Sequence, residues 1–412
     1  MVDIGTIASL IEISTFIYSS GRWVKQKVQE TKISSSIGII DKKFKFATEY
    51  YSLTSDIGTW RKFKLGRESF REEKRLIHDR ARLIDLYPAL IKNLLMDNRV
   101  GQMPYEVITH NIKTVGLEIQ DTKFRVRPAL LDIYDAIYNN LAEHYRRVGI
   151  QYAPTTLVRV YNWGMNKLTV ERAEYTEAAS TNIIADLDVE FALKKVLLLE
   201  NELGITNTIR EYDLSLSDIP GCYPTFKKSS LANPIGVAGI AITADDKLVL
   251  THRSRRVSTY AHKLGPSSSG YVTWHDVQLQ KENTLNSLLI AGLKREIAEE
   301  LHLDLSRDVS DMYPLGFFRE FYRAGMPQGF YCFRINLTAD KLISRMRDAQ
   351  DFQECAGVFL IPINRQGFSR IITTLVRAQK VGVLELGLEA QGLLTALALN
   401  GEDFLFQQNS MK

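Results

Sequence analysis

The sequence of 412 residues predicts an α/β fold in its C-terminal part, preceded by a mostly helical segment. Residues 236–243 and 247–254 are rich in apolar and β-branched side chains and are separated by Ala-Asp-Asp, which is typical of two strands joined by a tight turn. Residues 290–301 then carry apolar side chains at helical spacing. Strand-like and helical stretches that follow one another in this way indicate an α/β fold.

The remaining elements of the C-terminal part continue this order. Residues 315–320 and 329–336 are predicted to form a second strand pair, and residues 356–362 a late strand. A closing helix is predicted over 384–399. A glycine-rich segment, residues 265–270, lies between the first strand pair and the central helix.

Residues 1–150 are predicted to form a mostly helical N-terminal module. Residues 4–28 have isoleucines at helical spacing, which indicates a buried helix or, alternatively, one that binds a partner or a membrane surface. Residues 56–100 interleave basic and acidic side chains, which is typical of a solvated helix. Because aromatic side chains lie among the cations, a surface for nucleic acid or anionic lipid is the alternative there. Residues 130–145 predict a further helix.

Residues 151–231 are predicted to form a small α/β extension that packs on the C-terminal domain, residues 232–412. A helix is expected over 191–203. Three stretches rich in β-branched residues favour strands, namely 155–161, 167–175 and 182–188.

Composition places the chain among ordinary globular proteins. Hydrophobic residues make up 45% and charged residues 24%, and the net charge of +4 is too small to indicate nucleic acid by itself. Cys222, Cys332 and Cys355 lack the spacing of a zinc or redox motif and give no disulfide framework. No apolar run reaches the length of a membrane span, and no signal peptide is evident. We therefore expect a cytoplasmic protein without zinc.

The residues that can carry chemistry lie in the central helix. Glu296, Glu299 and Glu300 are related by i,i+3 and i,i+4 spacing, so all three project from one helix face. Carboxylates crowded in this way repel one another by roughly 0.2–0.5 kcal/mol per pair. A bound hard cation such as Mg²⁺ would remove that penalty. The alternative is a surface helix with a solvated acidic face.

This stretch resembles the second half of the Nudix box, which reads Arg-Glu-U-x-Glu-Glu-x-Gly-U, where U is a bulky apolar residue. His302 stands where the family has glycine. Gly270 is the best candidate for the first glycine of the box, and Asp276 then lies where the family has glutamate, provided that an insertion precedes the helix. The matching residues are Arg295, Glu296, Ile297, Glu299, Glu300 and Leu303.

The resemblance covers residues 232–400 and implies a Nudix-type α/β/α sandwich with a mixed sheet. Nudix enzymes generally cut the pyrophosphate bond of a nucleoside diphosphate linked to another group, with Mg²⁺ or Mn²⁺ as cofactor. The resemblance implies that Glu296, Glu299 and Glu300 are metal ligands and catalytic residues. It also implies that Arg295 holds the acidic cluster in place.

Further site residues are expected from the loops. Glu354 is a candidate general base or additional ligand, with Asp351 as the other candidate. The carbonyl of Gly270 is a candidate ligand in the substrate site. Arginines offer bidentate contacts to phosphate. The candidates for substrate binding are Arg253, Arg255, Arg256, Arg319 and Arg323, and the alternative for each is an ordinary surface charge.

The expected function is thus metal-dependent hydrolysis of a pyrophosphate bond in a nucleoside diphosphate-linked substrate. The alternative is a catalytically weak nucleotide sensor of the Nudix fold that regulates the N-terminal module or its partner. The expected partner is a nucleotide-type small molecule. A protein partner or self-association through the N-terminal helices is a further expectation, and nucleic acid or a membrane surface is the alternative.

Overall fold

The computed structural model describes residues 49–53, 60–63, 87–97, 101–131, 134–135, 138–139, 142, 154–183, 185, 208–254, 263–351, 354–363, 372–373, 375–376 and 386–401. The helices predicted over 4–28 and 191–203 lie outside these residues, as does most of 56–100.

Strands and helices alternate along the described residues. The strands are β1 (Glu49–Leu53), β2 (Trp60–Phe63), β3 (Leu94–Asp97), β4 (Gly101–Thr109), β5 (Gly116–Lys123), β6 (Thr156–Trp163), β7 (Lys167–Glu174), β8 (Gly236–Ile242), β9 (Lys247–Arg253), β10 (Leu264–Gly265), β11 (Ser268–Tyr271), β12 (Val309–Glu320), β13 (Met326–Ile335) and β14 (Cys355–Pro362). The helices are α1 (Pro88–Ile91), α2 (Tyr175–Ala178), α3 (Ile209–Ser215), α4 (Trp274–Leu279), α5 (Leu285–Leu301), α6 (Leu305–Asp308), α7 (Ala339–Met346) and α8 (Leu388–Asn400).

One mixed sheet dominates the structure. Its strands follow the order β2-β1-β14-β9-β8-β13-β12-β4-β3, with β10 beside β9 and β11 beside β8. Strands β8 and β13 are parallel, whereas β8 and β9, β12 and β13, and β9 and β14 are antiparallel. The two strand pairs, the late strand and the closing helix predicted from the sequence are therefore confirmed, as is the mixed α/β class.

Helices cover both faces of this sheet. On one face, Leu289 and Leu293 of α5 pack over Gly329 and Gly239, positions where an added Cβ would lie within 3.0 Å of the leucine side chains. The opposite face carries α8, whose leucines join the core formed by Ala238, Ile240 and Phe330. Each helix buries an apolar stripe against β8 and β13, which explains why the sheet centre is buried on both sides.

The helical prediction for residues 1–150 is wrong over 49–53, 60–63, 94–97, 101–109 and 116–123, which form β1 to β5. Strand β4 is hydrogen-bonded to β12, so the sheet crosses the domain boundary predicted near residue 150. Residues 103–107 form a strand because their apolar side chains alternate: Met103, Tyr105 and Val107 all face the α8 side of the core. The described positions within the helix predicted over 130–145 are helical.

A second sheet of three strands, in the order β5-β7-β6, lies beside the first. It is joined to the main sheet by backbone hydrogen bonds from Val158 to Val272 and from Ile235 to Val158. The strand predicted over 182–188 is wrong at its start, because a capping box at Glu174 begins α2 and the chain continues as a π-helical turn through Ala179–Ile183. This arrangement brings the end of β7 close to β11.

The described helices include none with the length and apolar character needed to cross a membrane. All three cysteines are free thiols.

A substitution at Tyr105 tests whether β4 belongs to the core. Its side chain is 1% exposed, and its ring lies 5.2 Å from that of Phe330 and 6.3 Å from that of Phe318. We expect Tyr105→Ala to lower the free energy of unfolding by about 3–5 kcal/mol, because it removes buried ring contacts and leaves a cavity. The fully exposed Met165 supplies the control variant Met165→Ala. Equal denaturant midpoints for the two variants would contradict the placement of β4.

Candidate functional site

A cavity of about 320 Å³ lies beside the C-terminal half of α5. Its wall combines β11 and α5 with the ends of β9 and β12 and the start of α8. The lining residues are Thr155, Leu157, Tyr175, Arg253, Ser269, Gly270, Tyr271, Thr273, Arg295, Glu296, Glu299, Glu300, Arg323, Asp351, Glu354 and Glu389. Of the predicted site residues that the structure describes, all but Arg319 line this cavity. Arg255 and Arg256 lie outside the described residues.

The two ends of helix α5 determine where its acidic residues lie. Thr284 caps the start, where its side chain accepts a hydrogen bond from the backbone of Ser287. His302 ends the helix in the left-handed conformation, with φ 53° and ψ 44°, a position that glycine favours and histidine can adopt. The carboxylates of Glu299 and Glu300 therefore lie in the last turn. The negative end of the helix dipole disfavours anionic groups there and favours a cation.

Arg295 is the centre of a buried ionic cluster. Its Nη1 lies 2.8 Å from Glu296 Oε1 and 2.9 Å from Glu299 Oε2. Its Nε lies 3.2 Å from Oδ1 of Asp276, and its Nη2 donates to the carbonyl of Tyr271 at 2.7 Å. Burial alone would lower the pKa of Arg295, but the neighbouring carboxylates raise it above its ordinary value. Arg295 therefore links α5 to both α4 and β11.

Asp276 has two structural roles. Its carboxylate is fully buried and accepts hydrogen bonds from the backbone and side chain of Thr273, at 2.8 and 3.0 Å, which caps α4. The same carboxylate pairs with Arg295. Asp276 thus contacts Arg295 from outside α5.

Gly270 makes room for the acidic cluster. A Cβ at this position would lie 2.0 Å from Oε1 of Glu296, so only glycine allows this carboxylate to pack against β11. The amide of the preceding residue, Ser269, donates to Oε2 of Glu300 at 2.8 Å. Strand β11 therefore sets the orientation of two of the three predicted ligands.

Burial shifts the carboxyl groups toward their protonated forms. Desolvation raises the pKa of Glu296 to about 7, although Arg295 opposes the shift. Desolvation and the charge of Glu296 hold the pKa of Glu300 well above its ordinary range. Burial also raises the pKa values of Asp351 and Glu354. These shifts indicate an excess of buried negative charge, which a cation would relieve.

The predicted metal ligands share the cavity without converging on one point. Within the part of the chain that the structure describes, no group of three His, Cys, Asp or Glu side chains is arranged to hold a metal ion. The reason is that Arg295 pairs with Glu296 and Glu299, while the Ser269 amide binds Glu300. A metal would therefore require these side chains to turn.

The predicted substrate arginines have different environments. Arg253 lines the cavity, with Nη1 3.4 Å from Oγ of Ser269. The prediction for Arg319 is corrected, because its guanidinium lies 4.6 Å from the ring centre of Tyr223 and 4.4 Å from that of Phe226, away from the cavity. Arg323 does line the cavity, and it pairs with Glu389 at 2.9 Å.

The lining residues that were not predicted include Tyr175, Tyr271 and Glu389. Tyr175 follows β7, Tyr271 ends β11 and Glu389 begins α8, so they meet only through the tertiary fold. No local motif marks them, although Tyr271 directly follows Gly270 and could have been found by extending the glycine-rich segment.

Two of the solved structures that match cover only part of this chain. No family model matches the sequence, and no curated protein matches it. DR0079 from Deinococcus radiodurans has a TM-score of 0.26 and 15% identity, over 39% of this chain and 81% of that chain. Tm1382, described as a candidate Nudix hydrolase, has a TM-score of 0.22 and 15% identity, over 36% of this chain and 69% of that chain.

The raised pKa of Glu296 predicts a pH-dependent effect of Glu296→Gln. The folded carboxyl keeps its proton up to about pH 7, whereas an ordinary carboxyl loses it near 4.5, so ionisation destabilises the folded protein as pH rises through that interval. In EDTA, we expect the melting temperature of Glu296→Gln to equal that of the wild type near pH 4.5 and to exceed it at pH 8.

Glu282→Gln is the control, because Glu282 is an exposed residue ahead of α5. A Glu296→Gln difference that is the same at both pH values would contradict the assignment of the shift to Glu296.

Proposed function

We propose that the chain is a metal-dependent hydrolase of the Nudix type, which cleaves the pyrophosphate bond of a nucleoside diphosphate-linked substrate. One observation carries the proposal: Glu296, Glu299 and Glu300 share one cavity with the phosphate-binding candidate Arg253. The resemblance of residues 295–303 to the Nudix box supports the same reaction class.

The oxygen ligands that line the cavity suit Mg²⁺ or Mn²⁺. Hard cations prefer carboxylate oxygens, which Glu296, Glu299 and Glu300 supply, and the carbonyl of Gly270 is a further oxygen donor. When bound, such a cation neutralises phosphate charge and lowers the pKa of a coordinated water. Arg295 remains anchored by Asp276 and the Tyr271 carbonyl when the glutamates turn away from it.

The chain's own residues would bind the substrate and move the proton. Arg253 would contact a phosphate through its guanidinium, which matches phosphate oxygens in a bidentate manner. Glu354 or Asp351 would accept the proton of the attacking water, since a carboxylate with a raised pKa is a better base near neutral pH. The water oxygen forms a bond to one phosphorus and the bridging oxygen leaves with the other, giving two phosphomonoesters.

A second candidate function is a nucleotide sensor with weak or no turnover. The observation that favours it is the pairing of Arg295 with Glu296 and Glu299. Because of this pairing, the carboxylates do not converge on one metal position. In that case the nucleotide would bind in the cavity and remain intact.

The deciding experiment measures turnover and binding in the same samples. Wild-type protein is incubated with Mg²⁺ or Mn²⁺ and a panel that includes ADP-ribose, and the products are separated by chromatography while the melting shift is recorded. We expect release of a nucleoside monophosphate, and a fall of at least about 100-fold in Glu299→Gln, Glu300→Gln, because loss of ligand charge weakens metal binding. Glu282→Gln should retain full activity.

Full activity in the double variant would overturn the site assignment. A metal-dependent melting shift with every ligand recovered intact would favour the sensor.

Gly270→Ala tests independently whether the carboxylate of Glu296 packs against β11 and contributes to activity. The new methyl group would overlap the carboxylate of Glu296, so we expect activity to fall by at least tenfold through displacement of that side chain. The matched control is Gly164→Ala, where an added Cβ would meet only a carbonyl oxygen at 3.5 Å. Steady-state rates with saturating Mg²⁺ provide the measurement, and equal rates for the two variants would contradict the close packing of Glu296 on β11.

A further inference from the structure

The cavity has a second polar wall away from the acidic residues of α5. It is formed by Tyr271 at the end of β11, Arg323 in the turn after β12 and Glu389 at the start of α8, and we call it the Glu389 wall. Since these residues come from three separate elements, the fold itself assembles them. Their chemistry differs from that of the α5 face and indicates a different part of a ligand.

The charge of the Glu389 wall is unsuited to phosphate. Arg323 Nη1 lies 2.9 Å from Glu389 Oε1, and Arg323 Nε lies 3.6 Å from Oε1 of the buried Glu320. One guanidinium therefore faces two carboxylates, which leaves this group with a net negative charge. An anionic phosphate would be repelled here, so the wall fits a neutral group that can donate hydrogen bonds.

Glu389 has an acceptor directed to the cavity. The residue is 7% exposed and lines the cavity, and Oε1 accepts the hydrogen bond from Arg323. Its second oxygen, Oε2, accepts no hydrogen bond from any residue that the structure describes. Because Glu389 lines the cavity and Oε2 is free to accept, a ligand donor that reaches this oxygen would form a charge-assisted hydrogen bond.

Tyr271 supplies the complementary donor. Its carbonyl is engaged by Arg295, and its ring packs edge-on against that of Tyr175 at 6.2 Å. The phenol hydroxyl makes no hydrogen bond to the described residues. Burial raises the pKa of this phenol, and the charge of Glu389 adds to the increase, so the hydroxyl keeps its proton and can donate.

We propose that Tyr271 and Glu389 bind adjacent hydroxyl groups of a ribose-type sugar in the ligand. One sugar hydroxyl accepts from the Tyr271 hydroxyl, and its neighbour donates to Oε2 of Glu389. Arg323 is a positioning residue, since it fixes the carboxylate through Oε1. The inference rests on the proposed function for the location of the diphosphate against α5. Two sugars have this chemistry, the ribose of the nucleoside and a sugar on the far side of the diphosphate.

The test compares three ligands with Tyr271→Phe and Glu389→Gln. Dissociation constants of ADP-ribose, ADP and 2′-deoxy-ADP are measured by calorimetry in Mg²⁺, and each sample is then analysed for products; where turnover occurs, KM is compared in place of Kd. We expect affinity for the recognised ligand to fall at least about threefold in Tyr271→Phe and about tenfold in Glu389→Gln, because a charged acceptor contributes more than a neutral donor.

The pattern of losses identifies the sugar. A loss confined to ADP-ribose assigns the wall to the far sugar. A loss for ADP and ADP-ribose, together with disappearance of the wild-type preference for ADP over 2′-deoxy-ADP, assigns it to the nucleoside ribose. Unchanged affinities for all three ligands, or an equal loss for all three, would overturn the proposal.

Two controls separate this inference from folding and from the hydrolase proposal. Tyr271→Phe removes only a hydroxyl without a described partner, so its melting temperature should match that of the wild type, and Glu282→Gln should bind all ligands normally. If wild-type protein leaves ADP-ribose intact, the hydrolase proposal fails, whereas a sugar-selective loss in the two variants still supports the sugar site.

Discussion

The ion cluster around Arg295 is the interaction on which the site depends. The guanidinium binds Asp276, Glu296 and Glu299 and also donates to the carbonyl of Tyr271. Each contact comes from α4, α5 or β11, so one side chain fixes the relative positions of three elements. Removing Arg295 would leave the carboxylates of Asp276, Glu296 and Glu299 without their compensating charge, which is strongly destabilising. Arg295 therefore offsets the repulsion between the closely spaced acidic residues of α5.

The same balance of charge determines what can enter the cavity. Six carboxyl groups and three guanidinium groups line it, which gives an excess of three negative charges when all are ionised. Desolvation raises the pKa values of Glu296 and Glu300, and the charges of neighbouring carboxylates add to the increase. A diphosphate adds more negative charge and would be repelled unless a cation accompanied it. This charge balance agrees with the proposal that a nucleotide binds here together with a cation.

Short-range patterns predicted the parts of the fold that depend on neighbouring residues. The hairpin of β8 and β9, the helix α5 and the placement of its three glutamates on one face all follow from local spacing. Strand β4 was missed because its pairing with β12 joins residues that are far apart in sequence. Arg319 was misplaced because Tyr223 and Phe226, which hold its guanidinium, precede it by nearly a hundred residues. Tertiary contacts decide such positions, whatever the local propensity.

Tyr271 connects the two halves of the cavity. Its carbonyl holds Arg295 on the acidic side, while its ring and hydroxyl belong to the Glu389 wall. The adjacent Gly270 packs directly on Glu296, and β11 is hydrogen-bonded to β8, so this segment is anchored in the sheet. A ligand group bound by the Tyr271 side chain would therefore be held at a fixed distance from the carboxylates of α5. Such a fixed spacing would select ligands by the length between sugar and phosphate, which makes β11 the element that joins recognition to chemistry.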